Sequence, residues 1–193
     1  MTRQRKTLPT TTAMEPGEVI DLERYVPAYF TWIAAKLSRG ASYHYLRVFD
    51  IGIEIWRCLV LIAAEREVSA QRVTRVIGMD KASVSRCFKS MHSRGLIEFA
   101  LDARDGRLRV AKLTDEGRAL HDQIRHVALE RERVFLSVLD GSEREALIAL
   151  LHKLHDNLPA VETATEQYVN LHYPGALQRH ASAAQAAQAA GAP

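Results

Sequence analysis

Asp80-Lys81-Ala82-Ser83-Val84-Ser85-Arg86-Cys87-Phe88-Lys89-Ser90-Met91-His92-Ser93-Arg94-Gly95 is the stretch whose reading decides the fold. Val84, Phe88 and Met91 stand at i, i+4 and i+7, which makes one apolar stripe on a helix. Lys81, Ser83, Ser85, Arg86 and Lys89 lie mostly off that stripe. Asp80 suits an N-cap, and Gly95 suits a stop just past the last turn. Short hydroxyls and long cations at a helix N-terminus fit phosphates and base edges. Hydroxyls and backbone N–H groups hold phosphate oxygens, and an Arg forks onto guanine. An amphipathic surface helix with a solvated basic face looks the same in isolation, so the flanks decide.

Upstream, Ser69 to Ile77 predicts a second short helix, capped by Ser69 and buried through Val73, Val76 and Ile77. Gly78-Met79 turns the chain between the two, which is a helix-turn-helix pattern. Downstream, Leu96 to Leu101 has strand composition, and Asp102-Ala103-Arg104-Asp105-Gly106-Arg107 carries the Asp-Gly hairpin signal. A second strand follows over Leu108 to Leu113, with Arg109 and Lys112 in it, and Thr114 caps a new helix. Helix, turn, helix, basic-tipped hairpin, helix is a winged helix-turn-helix. Between Arg72 and Lys112 there are ten Lys/Arg against four Asp/Glu, a balance of +6, while the whole chain is only +3. Positive charge is thus gathered where nucleic acid would sit, and the remainder is net acidic.

The runs Met79 to Arg86, Arg94-Gly95-Leu96-Ile97, Asp102 to Arg107 and Leu113-Thr114-Asp115-Glu116-Gly117 resemble the MarR (multiple-antibiotic-resistance-regulator) family of bacterial repressors. Gly52 to Leu59 resembles the helix that precedes the reading head in many members. The similarity covers roughly Asp21 to Tyr168, and the wing motif with its spacing before Leu113-Thr114 is its most specific part. The long N-terminal extension and the tail after Tyr173 depart from the pattern. The fold class expected is mainly α: a winged helix-turn-helix with a small β-hairpin wing plus terminal dimerisation helices.

Length and composition agree with one ordinary domain carrying extensions. No run approaches the roughly 20 apolar residues of a membrane span, and the basic N-terminus has no apolar stretch behind it to make a secretory signal. Cys58 and Cys87 form no close pair motif and fall at buried-looking helical positions. A reduced, cytoplasmic protein is expected. Gly-rich phosphate loops, a Gly-x-Ser-x-Gly elbow and metal-ligand clusters are absent from the sequence. No enzyme activity, cofactor or metal is therefore expected. His152 and His155 lie i, i+3 without a third ligand nearby, and His121 and His126 do not share a face.

In chain order, residues 1–17 read as a polar arm with Arg3, Arg5 and Lys6. Asp21 to Gly40 predicts an aromatic-rich helix with Leu22, Val26, Tyr29, Ile33 and Leu37 on one side, ended by Gly40; Tyr43 to Ala64 predicts the next. Thr114 to Leu139 predicts a long helix with Leu120, Ile124, Val127, Val134 and Val138 inward. Ser142 with Glu145 fits a capping box, and Pro159 should kink or split the helix running to about Tyr168. The first and last helices offer more apolar face than one winged domain covers, so a two-fold homodimer is expected, as the resemblance also implies. The organisation is an arm over 1–17, a winged-helix domain over 18–173 with dimerisation helices at 21–40 and 118–173 around a DNA-binding head at 44–117, and a disordered Ala/Gln-rich tail over 174–193.

The resemblance places Ser83, Ser85 and Arg86 in the major groove of double-stranded DNA, Arg86 on a base edge, with Ser83, Ser85, Lys81 and Lys89 mainly on phosphates. Arg107, at the hairpin tip, would reach the minor groove; Arg104 would do the same or pair with Asp102 or Asp105. The target implied is a pseudo-palindromic operator with half-sites about one helical turn apart. The family often senses small phenols or aromatic carboxylates between the dimer helices and the head. Here Trp32, Ser38, Arg39, Tyr43, His44, Arg47 and Arg57 would supply that pocket, an Arg pairing the carboxylate while rings stack on the ligand. The function expected is a repressor of an aromatic-compound catabolism operon, released by such an effector. Two alternatives stand beside it: a thiol-based redox sensor using Cys58 or Cys87, and a non-regulatory module whose basic face binds some other polyanion.

Overall fold

The structure is a computed structural model and describes Gly17, residues 19–102 and residues 105–175. The expected arm, apart from Gly17, and the tail beyond Gly175 lie outside the described residues. The chain divides into two compact units, Met1–Leu129 and Glu130–Pro193.

The first unit begins with α1 (Val26–Phe49), which corrects the expected stop at Gly40. Glycine inside a helix costs about 1 kcal/mol. Here the next turn carries Ala41 and Tyr45, four apart on one face and both buried, and their packing outweighs that cost. The helix ends instead at Asp50, in the left-handed conformation at φ 54°, with its N–H bonded to Leu46 O at 3.1 Å. Ile51, fully buried, then plugs the core, and Gly52 starts α2 (Ile53–Glu65). So the second helix begins near Ile53 rather than Tyr43.

The head follows the expected order. It runs β1 (Val68–Ser69), α3 (Ala70–Ile77), α4 (Lys81–Ser93), β2 (Ile97–Leu101), β3 (Arg109–Leu113) and α5 (Asp115–Phe135). β1 was not foreseen. It pairs antiparallel with β3, Val68 opposite Ala111, so β3 is the middle strand of a three-stranded sheet. The hairpin pairs Ile97 with Leu113 and Leu101 with Arg109. The foreseen stripe of α4 is the core face, with Val84 and Met91 fully buried and Phe88 nearly so. They meet Leu59, Ile62, Val73, Ile97 and Ile124 in one apolar cluster.

Gly95 ends the α4 segment as expected. Its φ is +70°, its N–H reaches His92 O at 3.0 Å, and Leu96 N–H reaches Met91 O at 2.9 Å. That is a left-handed helix stop, with Leu96 and Met91 both in the apolar cluster. Thr114 caps α5 by accepting from Gly117 N–H at 3.0 Å, and its hydroxyl donates to Gly95 O at 2.6 Å. The start of α5 is thereby tied to the root of the wing.

In the second unit, α5 ends at Phe135, short of the expected Leu139, and Val134 and Val138 are exposed rather than inward. The capping box at the start of α6 (Gly141–Asp156) is Asp140 with Glu143, not Ser142 with Glu145. Asp140 accepts from Glu143 N–H and Glu143 returns a bond to Asp140 N–H, each at 2.9 Å. Asp reaches that N–H as readily as Ser, and the helix simply starts two residues earlier. Pro159 splits the last helix as expected: α7 (Leu158–His172) starts with the proline in its first turn. None of the described residues of α6 and α7 is buried, and Leu150, Leu154, Leu158 and Tyr168 are about half exposed.

Candidate nucleic-acid interface

Two caps and a tight turn present α4. Ser69 Oγ accepts from Arg72 N–H at 3.2 Å at the start of α3, which closes on Gly78 at φ +76°. Met79 tucks inward and Asp80 caps α4, accepting from Ser83 N–H at 2.8 Å. The helix therefore leaves the turn with its first turn capped by Asp80.

On the open face of α4, Lys81, Ser85, Arg86 and Lys89 are exposed and Ser83 is half-buried. A hydrogen-bonded chain orders three side chains there. Ser83 Oγ donates to Asp80 Oδ2 at 2.7 Å and accepts from Arg86 Nη2 at 2.8 Å. The Ser83 hydroxyl, with its backbone N–H, holds the Asp80 carboxyl below its ordinary value. A carboxylate lowered in the fold stabilises it at neutral pH and loses that contribution as pH falls through the depressed value. The cap and the posture of Arg86 therefore persist across the neutral and mildly acidic range. Asp80 as the anchor of Arg86 was not visible in the sequence, which showed it only as a cap.

The wing is braced by its own carboxylates. Asp105 N–H donates to Asp102 Oδ1 at 2.9 Å, Arg107 N–H donates to Asp105 Oδ1 at 3.1 Å, and Leu108 N–H to Asp105 O at 2.8 Å. Arg107 is exposed at the tip of this ordered turn. Arg104 lies outside the described residues.

Four of the cations counted in the sequence hold the head together instead. Arg72 forks onto Glu65 at 2.7–3.1 Å, Lys112 pairs with Glu67 at 2.6 Å, and Arg109 stacks on Phe99 at 3.8 Å. Arg94 donates to Asp50 O at 2.7 Å and pairs with its carboxylate at 3.5 Å, tying the end of α1 to the end of α4. Among the described residues Arg75, Lys81, Lys89 and Arg107 have no ion-pair partner, so the free positive charge is narrower than the count and centres on α3, α4 and the wing.

The seven expected effector residues make separate contacts within the described chain. Ser38 accepts from Arg57 Nη2 at 2.8 Å, joining α1 to α2. Tyr43, His44 and Arg47 form a second group on α1: the Arg47 guanidinium donates to the Tyr43 hydroxyl and lies over its ring, and His44 meets Tyr43 edge-on at 5.2 Å. Trp32 packs edge-on against Tyr29 at 5.9 Å, and Arg39 is exposed. An aromatic group the sequence did not single out lies deeper, where Trp56 meets Tyr45 edge-on and stacks on His121 at 5.5 Å. A cavity of about 400 Å³ opens elsewhere, between α4 and the start of α2, lined by Ser42, Gly52, Glu54, Arg86, Cys87 and Ser90 among others. None of the seven lines it. Among the described residues no three His, Cys, Asp or Glu side chains are grouped to hold a metal, and no helix is long and apolar enough to cross a membrane.

A profile described as MarR family matches residues 50–108, the segment that contains the helix-turn-helix and most of the wing. The crystal structure of a MarR/EmrR family transcriptional regulator from Acinetobacter sp. ADP1 superposes with TM-score 0.68 and 30% identity, over 73% of this chain and 99% of that one. The chain belongs to the MarR family. This is a family of DNA-binding transcriptional regulators, not of enzymes. A second MarR-fold structure, the S. aureus MepR–DNA complex, aligns with TM-score 0.62 at 23% identity over 71% of this chain and 99% of that one, which shows the shared fold. The uncharacterized HTH-type transcriptional regulator YdgJ of Bacillus subtilis is 28% identical over 107 residues, 54% of this chain. The match spans 63% of YdgJ's own length. The recognition helix and wing expected from the MarR resemblance are thus the parts that the fold arranges on one head.

Proposed function

We propose that this chain is a homodimeric, ligand-responsive repressor that reads a pseudo-palindromic operator. The observation that carries the reading is the face of α4: Arg86 is held out by Ser83 and Asp80 at a helix N-terminus flanked by Lys81 and Lys89. Arg86 meets a base edge in the major groove, Ser83, Ser85, Lys81 and Lys89 meet mainly phosphates, and Arg107 enters the minor groove beside them. Arg104 shares the wing with Arg107 and belongs to the same proposal. Replacing Lys81 or Lys89 with alanine weakens binding evenly across sequences and lowers the salt slope of log K by about one unit each. Binding titrations over a series of salt concentrations read this directly; an unchanged slope removes the residue from the interface.

The dimer covers apolar surface that this chain leaves open. α6 and α7 bury nothing, and Val26, Tyr29, Phe30, Trp32 and Ile33 of α1 are each about half exposed. Apolar patches of this extent are seldom left to water. Light scattering at micromolar concentration gives twice the chain mass; a monomer contradicts the two-head operator.

The effector is a small aromatic acid or phenol, and the regulated genes are those for aromatic catabolism. Arg57, oriented by Ser38, pairs the carboxylate, and the rings of Tyr43 and Trp32 with Arg47 and His44 wall the site as the dimer forms. Ligand binding favours a spacing of the two heads that misfits the groove. With a panel of benzoates and phenols at fixed salt, one compound releases operator DNA, and Arg57→Ala weakens that response by about 10- to 100-fold. Operator affinity unmoved by any compound rejects the effector class.

A further inference from the structure

Arg94 closes α4 and reaches back to the end of α1. Its Nη1 donates to the Asp50 backbone oxygen at 2.7 Å, and its Nη2 stands 3.5 Å from the Asp50 carboxylate. The two bonds are unequal. The Asp50 side chain is 89% exposed, and an ion pair open to water contributes little. The bond to the carbonyl is the link that counts. Asp50 presents that carbonyl from the left-handed region, at φ 54° and ψ 38°, and the next N–H, that of Ile51, returns to Tyr45 O at 3.3 Å. The acceptor is therefore fixed to the last turn of α1.

The cavity of about 400 Å³ lies beside this bond. It stands between α4 and a wall made by Ser42 of α1 and the Gly52–Ile55 start of α2. On the α4 side it is lined by Arg86, Cys87 and Ser90. Arg94 follows Ser90 by four residues and Arg86 by eight, so it continues the same row along the helix. α4 is seated on the core through Val84, Phe88 and Met91. On the cavity side, open space stands where close packing would resist a tilt of the helix. Arg94 spans that side, from the end of α4 to α1. In turn α1 is seated on the core by Ala41 and Tyr45, and its outer half carries the half-exposed Val26, Tyr29, Phe30 and Ile33 that the dimer would cover.

We propose that Arg94 is a positioning residue for operator recognition: by clamping the end of α4 to the end of α1, it sets the half-site spacing that the dimer accepts. It acts through α4 and not on DNA itself. This rests on the two-headed operator reading and deepens it. Each base pair added between half-sites moves the second by about 3.4 Å along the duplex axis and turns it by about 35° around that axis. Heads held rigidly to the dimer helices fit one spacing. Heads free to tilt fit several.

The test uses the full chain and a duplex chosen from a random pool for tight binding to the wild type. That duplex is remade with one or two base pairs added to or removed from the spacer, and again with a single half-site. Anisotropy reads affinity for each, and thermal melting reads the fold. The wild type is expected to prefer the chosen spacing. Arg94→Met keeps the aliphatic stem and loses the donors. Its preference for the chosen spacing over the altered ones falls at least about fivefold, while its affinity for the single half-site stays at the wild-type value. Arg94→Lys keeps a donor and recovers most of the preference, and Asp50→Asn, which keeps the carbonyl, retains it. If Arg94→Met melts early, Arg94→Gln, whose amide ends short of the guanidinium's reach, takes its place. An unchanged spacing preference in the variant without donors, an equal loss on every duplex, or an Arg94→Lys no better than Arg94→Met overturns the proposal. A wild type that binds all spacings alike overturns it together with the two-headed reading, whereas a wild-type preference that survives loss of the Arg94 donors overturns the role of Arg94 alone.

Discussion

Gly117→Ala is expected to destabilise the chain by about 3 kcal/mol, the upper end of ordinary overpacking costs. The reason is a single close approach. A Cβ built on Gly117 would stand 1.9 Å from the backbone oxygen of Leu96 and 2.9 Å from its carbonyl carbon. Neither atom can rotate away. The same Leu96 oxygen accepts from Thr114 N–H at 3.2 Å, and Thr114 Oγ1 donates to Gly95 O, so the start of α5 lies flat on the root of the wing. To admit a methyl group the junction has to open, and the Thr114 cap opens with it. Thermal unfolding should show a drop on the order of 10 °C. Gly141→Ala is the control: nothing lies within 4 Å of its Cβ position, and its effect should stay within about 0.5 kcal/mol. Equal melting temperatures for the two variants contradict the close approach.

Arg86→Ala is expected to lose about 10- to 100-fold in affinity for the chosen duplex, the equivalent of about 1–3 kcal/mol for one bidentate base contact. Affinity for random duplex falls far less, so the specificity ratio shrinks. That separation is what distinguishes a base contact from a phosphate contact. Arg86→Lys keeps the charge and loses the fork, and it should behave closer to alanine than to wild type on the chosen duplex. Ser83→Ala leaves Arg86 present but unanchored, because Ser83 Oγ is the link between its guanidinium and Asp80. Its loss should be smaller than that of Arg86→Ala and in the same direction. An Arg86→Ala variant weakened equally on all sequences places Arg86 on a phosphate.

What the sequence discloses here is local. The caps at Ser69, Asp80 and Thr114, the stripe of Val84, Phe88 and Met91, the stop at Gly95 and the Asp-Gly wing are all written within a few residues of one another, and each forms as read. The misses are tertiary. Gly40 reads as a helix stop until Ala41 and Tyr45 are seen to pack on the core. β1 is two residues long, too short for any periodicity, and exists because β3 offers it an edge. Asp140 outcompetes Ser142 as a cap by position alone. Gly117 stood in a quoted motif, yet its reason is the backbone oxygen of Leu96, the residue just before β2.

The site shows the same division. Lys81, Ser83, Ser85, Arg86 and Lys89 could be read as one side of a helix because spacing sets its N-terminus and its open face. The cation count overstated the interface, since pairs such as Arg72 with Glu65 and Arg94 with Asp50 form across turns that spacing cannot reveal. The contacts of Ser38 with Arg57 and of Tyr43 with Arg47 depend likewise on α1 running on past Gly40, which the sequence did not show.

The central claim is that α4 and the wing read a two-fold DNA sequence. The most direct measurement is selection from a random duplex pool by the full-length reduced protein at fixed physiological salt, followed by sequencing. The account predicts an enriched pseudo-palindrome with half-sites about one helical turn apart, flanked by narrow A·T-rich minor groove where Arg107 enters. A pool that stays random after successive rounds, with binding that depends only on salt, contradicts it.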